Sequence, residues 1–289
     1  MTVSAVVGAT GLVGSALVAA LRGRGDGVVE LSRRGAVPLD LANAGDAGAL
    51  LRAHRVGVLY CAAAISSVER CELDPAGTAA TNVDGTLRLA GACAGAGARM
   101  VFFSSEYVFD GEQETPYAEG DACRPLNHYG RQKREVEEAL LGARAGHLVV
   151  RTSGVFGVEP ARKNFVLQLL DASRKGGRVA VATDQVVTPT HAEALAEGCV
   201  EAVQRGVTGV LHLAGSDVLA RVEFARLVCR TLGLDDEVVE PVPTARMGLR
   251  APRPVHAGLS VDLARTLGLP LRGAGDGLRR LRTRVMVAE

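Results

Sequence analysis

Tyr129 and Lys133 stand four residues apart in the stretch LNHYGRQKREVEEAL, residues 126–140. The lysine is informative because the chain carries 30 Arg and only 3 Lys. Such a lysine is either a chance residue on a surface helix or the mark of a site that needs a compact cation that a planar guanidinium cannot replace. On a helix, residues i and i+4 share a face, so the ammonium lies one turn from the phenol. A nearby cation favours phenolate and is expected to lower the Tyr129 pKa from about 10. Tyr129 could then exchange a proton near neutral pH, as general acid–base chemistry requires. Ser104 and Ser105 close the apolar run RMVFFSS upstream. A hydroxyl at the end of such a strand can hold a substrate carbonyl.

A second pattern lies near the N-terminus, where GATGLVG places glycines at 8, 11 and 14. With 35 glycines in the chain the bare spacing carries little; its position carries more. It follows the first apolar run and opens the first helix-like stretch. There, glycines let the backbone approach a pyrophosphate, and the helix N-terminus faces its charge. Gly8, Thr10, Gly11, Leu12, Val13 and Gly14 are the expected cradle. The second apolar run ends in ELSRRG, without the acid that would take the ribose hydroxyls of NAD. Ser32, Arg33 and Arg34 stand there instead. Arginines suit a 2′-phosphate, so the cofactor read from this edge is NADPH or NADP+. Asp40 and Leu41 are expected to border the adenine.

Stepping from these residues to the elements that must hold them, five apolar runs read as buried strands: 3–7, 28–32, 56–61, 100–104 and 148–151. Helix-like stretches at 13–22, 46–53, 75–94 and 129–141 separate them. Strands alternating with helices predict an α/β fold, βαβ units on a doubly wound parallel sheet. The second half predicts helices at 164–173, 192–204 and 222–231, strands at 178–182 and 210–214, and short helices at 261–267 and 277–284. Residues 1–152 are expected to form the NADP-binding domain, with the later strands near 178–182 and 209–214 returning to it. Residues 153–289 are expected to form mainly a smaller substrate-binding lobe.

Composition bounds the partners. The net charge is +1, aromatics make up 3%, Trp is absent and no basic block occurs, which argues against nucleic acid. Charged side chains are missing from about the first 20 residues. The stretch lacks a basic leader and holds three glycines, so a buried strand and packed helix are expected rather than a membrane segment. The 6 cysteines are scattered without Cys-x-x-Cys, and no two histidines share a metal spacing. That pattern predicts no metal and a cytoplasmic protein. His191 and His212 are expected to be structural. The Arg, Ala and Gly bias suggests a GC-rich bacterial genome.

Taken together, GATGLVG, CAA at 61–63, VERCE, NVDGT, SSEYVFDG, PYAEGDACRPLNHYGRQK, RTSGVFG, KNF, DQVVTPT, GVLHLAG and the late Arg253-Pro254 resemble the extended short-chain dehydrogenase/reductases. Within them the chain is most similar to the dTDP-4-dehydrorhamnose reductase-like, sugar-nucleotide-binding group. The resemblance covers nearly the whole chain. It implies a Rossmann-type sheet and an NADPH-dependent reductase acting on a nucleotide-linked 4-keto-6-deoxysugar. It implies Ser105, Tyr129 and Lys133 as the catalytic positions. Tyr129 and Lys133 also join the cofactor set, with Cys61, Ala62 and Ala63. The implied substrate contacts are Ser105, Glu106, Val108, Tyr129, Gly154, Asn164 and Arg253. Gly154 stands where the group often has a tryptophan, and His128 where it usually has a small apolar residue. His128 reads as a helix-start surface residue or as a substrate contact. The altered pocket predicts that dTDP-4-dehydrorhamnose is a poor substrate. Two alternatives stay open: reduction of a different carbonyl in natural-product biosynthesis, or a non-catalytic NADP-binding regulatory subunit like the methionine adenosyltransferase β subunit. A homodimer also stays open.

Overall fold

The computed structural model describes residues 3–286 apart from 46 and 144. The first half runs β1 (Val3–Val7), α1 (Leu12–Gly23), β2 (Val28–Ser32), β3 (Val37–Pro38), α2 (Ala47–Ala53) and β4 (Val56–Cys61). It continues with α3 (Val68–Leu73), α4 (Pro75–Ala79), α5 (Thr86–Ala96), β5 (Arg99–Ser105), α6 (His128–Gly142) and β6 (Leu148–Thr152). The second half holds β7 (Val155–Phe156), α7 (Phe165–Arg174), β8 (Val179–Ala182), β9 (Val186–Val187), β10 (Thr190–His191) and α8 (Ala192–Gln204). It ends with β11 (Gly209–His212), β12 (Leu219–Ala220), α9 (Arg221–Leu232), β13 (Val239–Val242), α10 (Asp262–Thr266) and α11 (Ala274–Met286). The expected start of the second helix at residue 46 lies outside the described residues.

Seven parallel strands form the central sheet in the order β11-β6-β5-β4-β1-β2-β3. Alternate side chains serve opposite faces, which is why these strands read as continuous apolar runs. Val6, Tyr60, Val101, Phe103 and Val150 face one layer with Leu17 of α1 and Leu195 of α8. Val7, Leu59, Met100, Phe102 and Val149 face the other, with Leu51 of α2, Leu89 of α5 and Val136 of α6. Each such fully buried side chain contributes about 1.5–3 kcal/mol. The chain leaves β1 toward β2 on one side and reaches β4 on the other. The loops after β1 and β4 therefore diverge and open a crevice at the strands' C-terminal ends, where such sheets bind ligands.

Three features depart from the sequence pattern. The strand at Val179–Ala182 does not return to the central sheet: β8 pairs with β13 in a two-stranded sheet. The position beside β6 is taken by β11, which α8 feeds directly. Val181 instead packs with Phe156, Phe224 and Val228 in a separate core of the second half. The stretch expected as one helix over 75–94 is helical but interrupted by a π turn, Ala80–Gly85. Helix α3 has only six residues, too short to show a period, and is fixed by Ser67, which accepts from the Arg70 amide. Among the described residues no helix is long and apolar enough to cross a membrane.

Candidate active site

The GATGLVG segment makes the turn between β1 and α1. Its compactness is specific: a Cβ on Gly14 would sit 2.0 Å from the Gly8 carbonyl oxygen. Any side chain there would push the helix off the strand. Gly11 caps α1 with no side-chain hydrogen bond, and the first turn contains no acid. The first amides of α1, with Thr10 and Gly11 exposed beside them, thus present partial positive charge at the crevice. Leu12 and Val13 are half-buried beneath. Across the crevice, β4 ends in buried Cys61, and the Ala62 amide donates to the Val7 carbonyl at 3.0 Å. Ala63 lies against Gly8, its nitrogen 2.9 Å from where a Gly8 Cβ would stand.

At the end of β2, Ser32 is buried while Arg33 and Arg34 are exposed. Neither arginine has an ion-pair partner among the described residues. Asp40 accepts the Ala42 amide at 3.1 Å and starts a 3-10 turn whose Leu41 is buried. The structure thus brings the sequence-predicted cofactor residues to one edge of the sheet.

The chemical side chains meet at the ends of β5 and α6. Asn127 caps α6, accepting the Gly130 amide at 2.9 Å while its own amide donates to the Pro252 carbonyl at 2.9 Å. A Cβ on Gly130 would lie 2.0 Å from the Tyr107 carbonyl oxygen, so α6 presses directly on the turn that follows β5. That contact sets Tyr129 beside Ser105. The Tyr129 and Tyr107 rings meet edge to face at 5.8 Å. The Lys133 ammonium donates to the Phe103 carbonyl at 2.7 Å and lies 4.6 Å from the Phe102 ring centroid and 5.7 Å from that of Tyr129. Glu106 is hydrogen-bonded through Oε2 to the Ser105 hydroxyl, which also accepts the Tyr107 amide at 3.4 Å.

The electrostatics correct one expectation. Tyr129 is not shifted down by Lys133: burial, followed by the Glu106 carboxyl, pushes its phenol up, with only the Ser105 hydroxyl acting noticeably against them. Desolvation outweighs a cation that sits on a backbone carbonyl rather than on the phenol. Burial in turn lowers Lys133 to about 8. Burial raises Glu106 as well, opposed by hydrogen bonds from Ser105 and Ser153 and by the Arg221 charge.

The predicted substrate contacts divide. Ser105, Glu106 and Tyr129 converge. Val108 does not join them: it is fully buried with Phe109, Tyr117 and Leu259, because the 3-10 turn after β5 points it into the core. Asn164 caps α7, accepting the Leu167 amide at 3.3 Å, and donates to the Gly157 carbonyl at 3.0 Å and Glu159 at 2.9 Å. Gly154 has φ +52°, a left-handed backbone that a tryptophan would adopt only under strain. Arg253 reaches the site by donating to the Tyr107 hydroxyl at 3.0 Å and pairing with Glu69 at 2.7 Å. His128 is half-buried, its amide donating to Glu72 at 3.1 Å.

Arg221 was not visible as a site residue from sequence. It opens α9, its guanidinium 4.4 Å from the Phe165 ring, and its charge acts on Glu106 and Tyr107. The available signal was its place: a cation at the first helical position runs against the helix dipole and calls for another reason. Asn82 opens the NVDGT motif. In the π turn it accepts the Ile65 amide at 2.8 Å and donates to Gln132 at 2.8 Å, tying the loop after β4 to α6. His212 approaches the Ser260 carbonyl at 3.1 Å and Arg151 at 3.4 Å, and burial lowers it to about 4. Burial likewise lowers His191 to about 4.

With this geometry in hand, the chain can be set beside known proteins. The sequence profile of the RmlD substrate binding domain matches residues 2–285. A dTDP-4-keto-6-deoxy-D-glucose reductase of Streptomyces niveus is 33% identical over 269 residues, covering 92% of each chain. A dTDP-4-dehydrorhamnose reductase of Mycobacterium tuberculosis is 35% identical over 273 residues, 92% of this chain and 88% of that one. In fold, the chain is similar to the crystal structure of dTDP-4-dehydrorhamnose reductase from Bacillus anthracis in complex with NADP. The TM-score is 0.91 at 24% identity, over 98% of this chain and 100% of that one.

Proposed function

Because this chain belongs to the RmlD substrate binding domain family, we propose that it is an NADPH-dependent reductase of the keto group of a nucleotide-linked 4-keto-6-deoxysugar. The observation that carries the reading is the meeting of Ser105, Tyr129 and Lys133 at the crevice that the glycine turn opens. The substrate class follows from the relatives' names, reductases of dTDP-4-keto sugars. NADPH, when bound, supplies the hydride for the carbonyl carbon.

Residues of this chain fit such a cofactor. The α1 amides, which no side chain caps among the described residues, suit a pyrophosphate, and the exposed Arg33 and Arg34 suit a 2′-phosphate. Lys133 is the cation for the ribose hydroxyls. Ser105 holds the substrate carbonyl oxygen, and Tyr129 delivers a proton to it. Arg221 and Arg253 flank Tyr107 at the far side and are the cations for the nucleotide diphosphate. Residues 1–152 thereby carry the cofactor, and residues 153–289 supply these two arginines and the Gly154 wall. The free thiols and a nucleotide-sugar substrate support a cytoplasmic protein.

The test follows NADPH absorbance with dTDP-4-dehydrorhamnose and dTDP-4-keto-6-deoxyglucose as substrates. Oxidation that depends on the keto sugar and yields the 4-hydroxy product supports the reading. Absence of turnover with either sugar, by folded protein that binds NADPH, overturns it.

A further inference from the structure

Both carboxylate oxygens of Glu69, on α3, are spent on one short segment of the second half. Oε1 accepts from the Arg253 guanidinium at 2.7 Å, and Oε2 accepts the Arg250 amide at 3.0 Å. An exposed ion pair of long side chains is ordinarily worth little. This pair is drawn into the protein: the Arg253 side chain is 13% exposed and that of Glu69 34%. The segment is pinned around it as well. The Asn127 side-chain amide donates to the Pro252 carbonyl at 2.9 Å, and Ala251 is buried with Val68 of α3 and Tyr129. The other guanidinium contact, to the Tyr107 hydroxyl at 3.0 Å, aims Arg253 at the residue whose ring meets Tyr129 edge to face. Glu69 thus fixes the backbone at one end of residues 250–253 and the direction of the side chain at the other.

We propose that Glu69 is a positioning residue for substrate binding. It holds Arg253 against Tyr107 before the substrate arrives, so the guanidinium meets the nucleotide diphosphate without first having to be ordered. This rests on the reductase reading above, which makes Arg253 a diphosphate contact. Arginine has much rotational freedom to lose, and a ligand that must order it binds more weakly for doing so. A guanidinium offers more N–H donors than these two bonds use, so some remain for phosphate oxygens.

Charge works in the opposite direction, because a carboxylate beside Arg253 repels the diphosphate. Glu69 is the more exposed of the pair, and water and salt screen that repulsion. Glu69 does not touch the reacting atoms. Its effect therefore belongs to binding of the nucleotide and not to the chemical step, and it runs through Arg253.

The experiment uses the full chain with Glu69→Ala, Glu69→Gln and Arg253→Ala, and with each Glu69 change combined with Arg253→Ala. Circular dichroism checks folding. The probe is dTDP, its Kd measured by calorimetry with NADP+ present, followed by KM and kcat with the keto sugar. Glu69→Ala should raise both Kd for dTDP and KM about tenfold, with kcat at saturating sugar changed little. Glu69→Gln keeps an acceptor for one of the two donors and should recover part of the loss. In the Arg253→Ala background neither Glu69 change should weaken dTDP binding further. A purely structural role would weaken binding by the same factor in both backgrounds, or lower kcat, and either result overturns the proposal. So does tighter binding of dTDP by Glu69→Ala, which would make the carboxylate a competitor for Arg253. The glutamine comparison decides the matter if the alanine variant does not fold. A wild type that binds dTDP but turns over no keto sugar overturns the reductase reading instead, while the Kd comparison still decides the role of Glu69. Failure of the wild type to bind dTDP overturns both.

Discussion

Replacing Lys133 with methionine should stabilise the fold at neutral pH while removing activity. Lys133 is 5% exposed, and burial brings its ammonium from its ordinary value of 10.5 to about 8. At about 1.4 kcal/mol per pH unit, that fall represents about 3 kcal/mol held against the charged form. Its hydrogen bond to the Phe103 carbonyl, 2.7 Å long, returns about 1.5 kcal/mol. Methionine is an unbranched apolar side chain that adapts to irregular space. The net expectation for Lys133→Met is a gain of about 1–2 kcal/mol at pH 7.

The dependence on pH is the sharper signature. Between about pH 8 and 10.5 the unfolded chain holds the lysine proton and the native protein has shed it. The unfolded state then binds more protons, so this group makes wild-type stability rise with pH across that window. The methionine variant lacks the slope, and its advantage should shrink accordingly. Lys133→Arg should lie at the other extreme, because a guanidinium cannot shed its proton and overfills the site by about 1–3 kcal/mol. Urea unfolding of the three proteins at several pH values measures all of this. A methionine variant less stable than wild type at pH 7, or a difference that stays flat up to pH 10.5, would refute the reasoning.

Three further outcomes are expected. The Arg33→Ala, Arg34→Ala double variant should lose the preference for NADPH over NADH, which in the wild type should be about tenfold or more, or about 1.4 kcal/mol; equal wild-type affinities by titration would show the arginines are only solvated. Tyr129→Phe should lower kcat by about 10² to 10⁴ with NADPH affinity and circular dichroism unchanged; wild-type turnover would remove Tyr129 from the chemistry. Gly154→Ala should lower stability by about 1 kcal/mol because of the φ of +52°, read by thermal unfolding, and a neutral result would mean the backbone relaxes there.

The central sheet was legible because strands buried on both faces are continuous apolar runs, and α8 emerged at Ala192–Gln204 from a clear period. Strand β8 was misplaced because VAVA is apolar enough for either sheet; only the competing pairing of β11 with β6 decides it. That Ser105, Tyr129 and Lys133 lie together was legible because Tyr129 and Lys133 share a helix face and Ser105 ends the preceding strand. The direction of the Tyr129 shift was not, since it depends on how much of the fold covers the ring. Arg221 comes from a distant element, 92 positions after Tyr129, and short-range patterns cannot reach it. Val108 and Asn164 fall within motif stretches, but their side chains turn to the core and to a helix cap.

The same helix that presents Tyr129 and Lys133 is held from behind by a charge that gives little stability. Glu137, one turn beyond Lys133, takes two hydrogen bonds from Arg151 on β6, at 2.9 and 2.7 Å, and both side chains are sealed from solvent. Arg151 also donates to the Glu119 carbonyl at 3.2 Å and lies 5.1 Å from the Phe109 ring. A buried pair of this kind roughly repays its own desolvation, so an apolar pair of equal volume would stabilise the fold as well or better. What apolar residues lack is direction. The two-point contact fixes the rotation and height of α6 against β6, and β6 is in register with β5, Thr152 opposite Ser105. The ion pair thus adds a directional contact to the Asn127 cap and the close Gly130–Tyr107 packing, which also hold α6 beside β5.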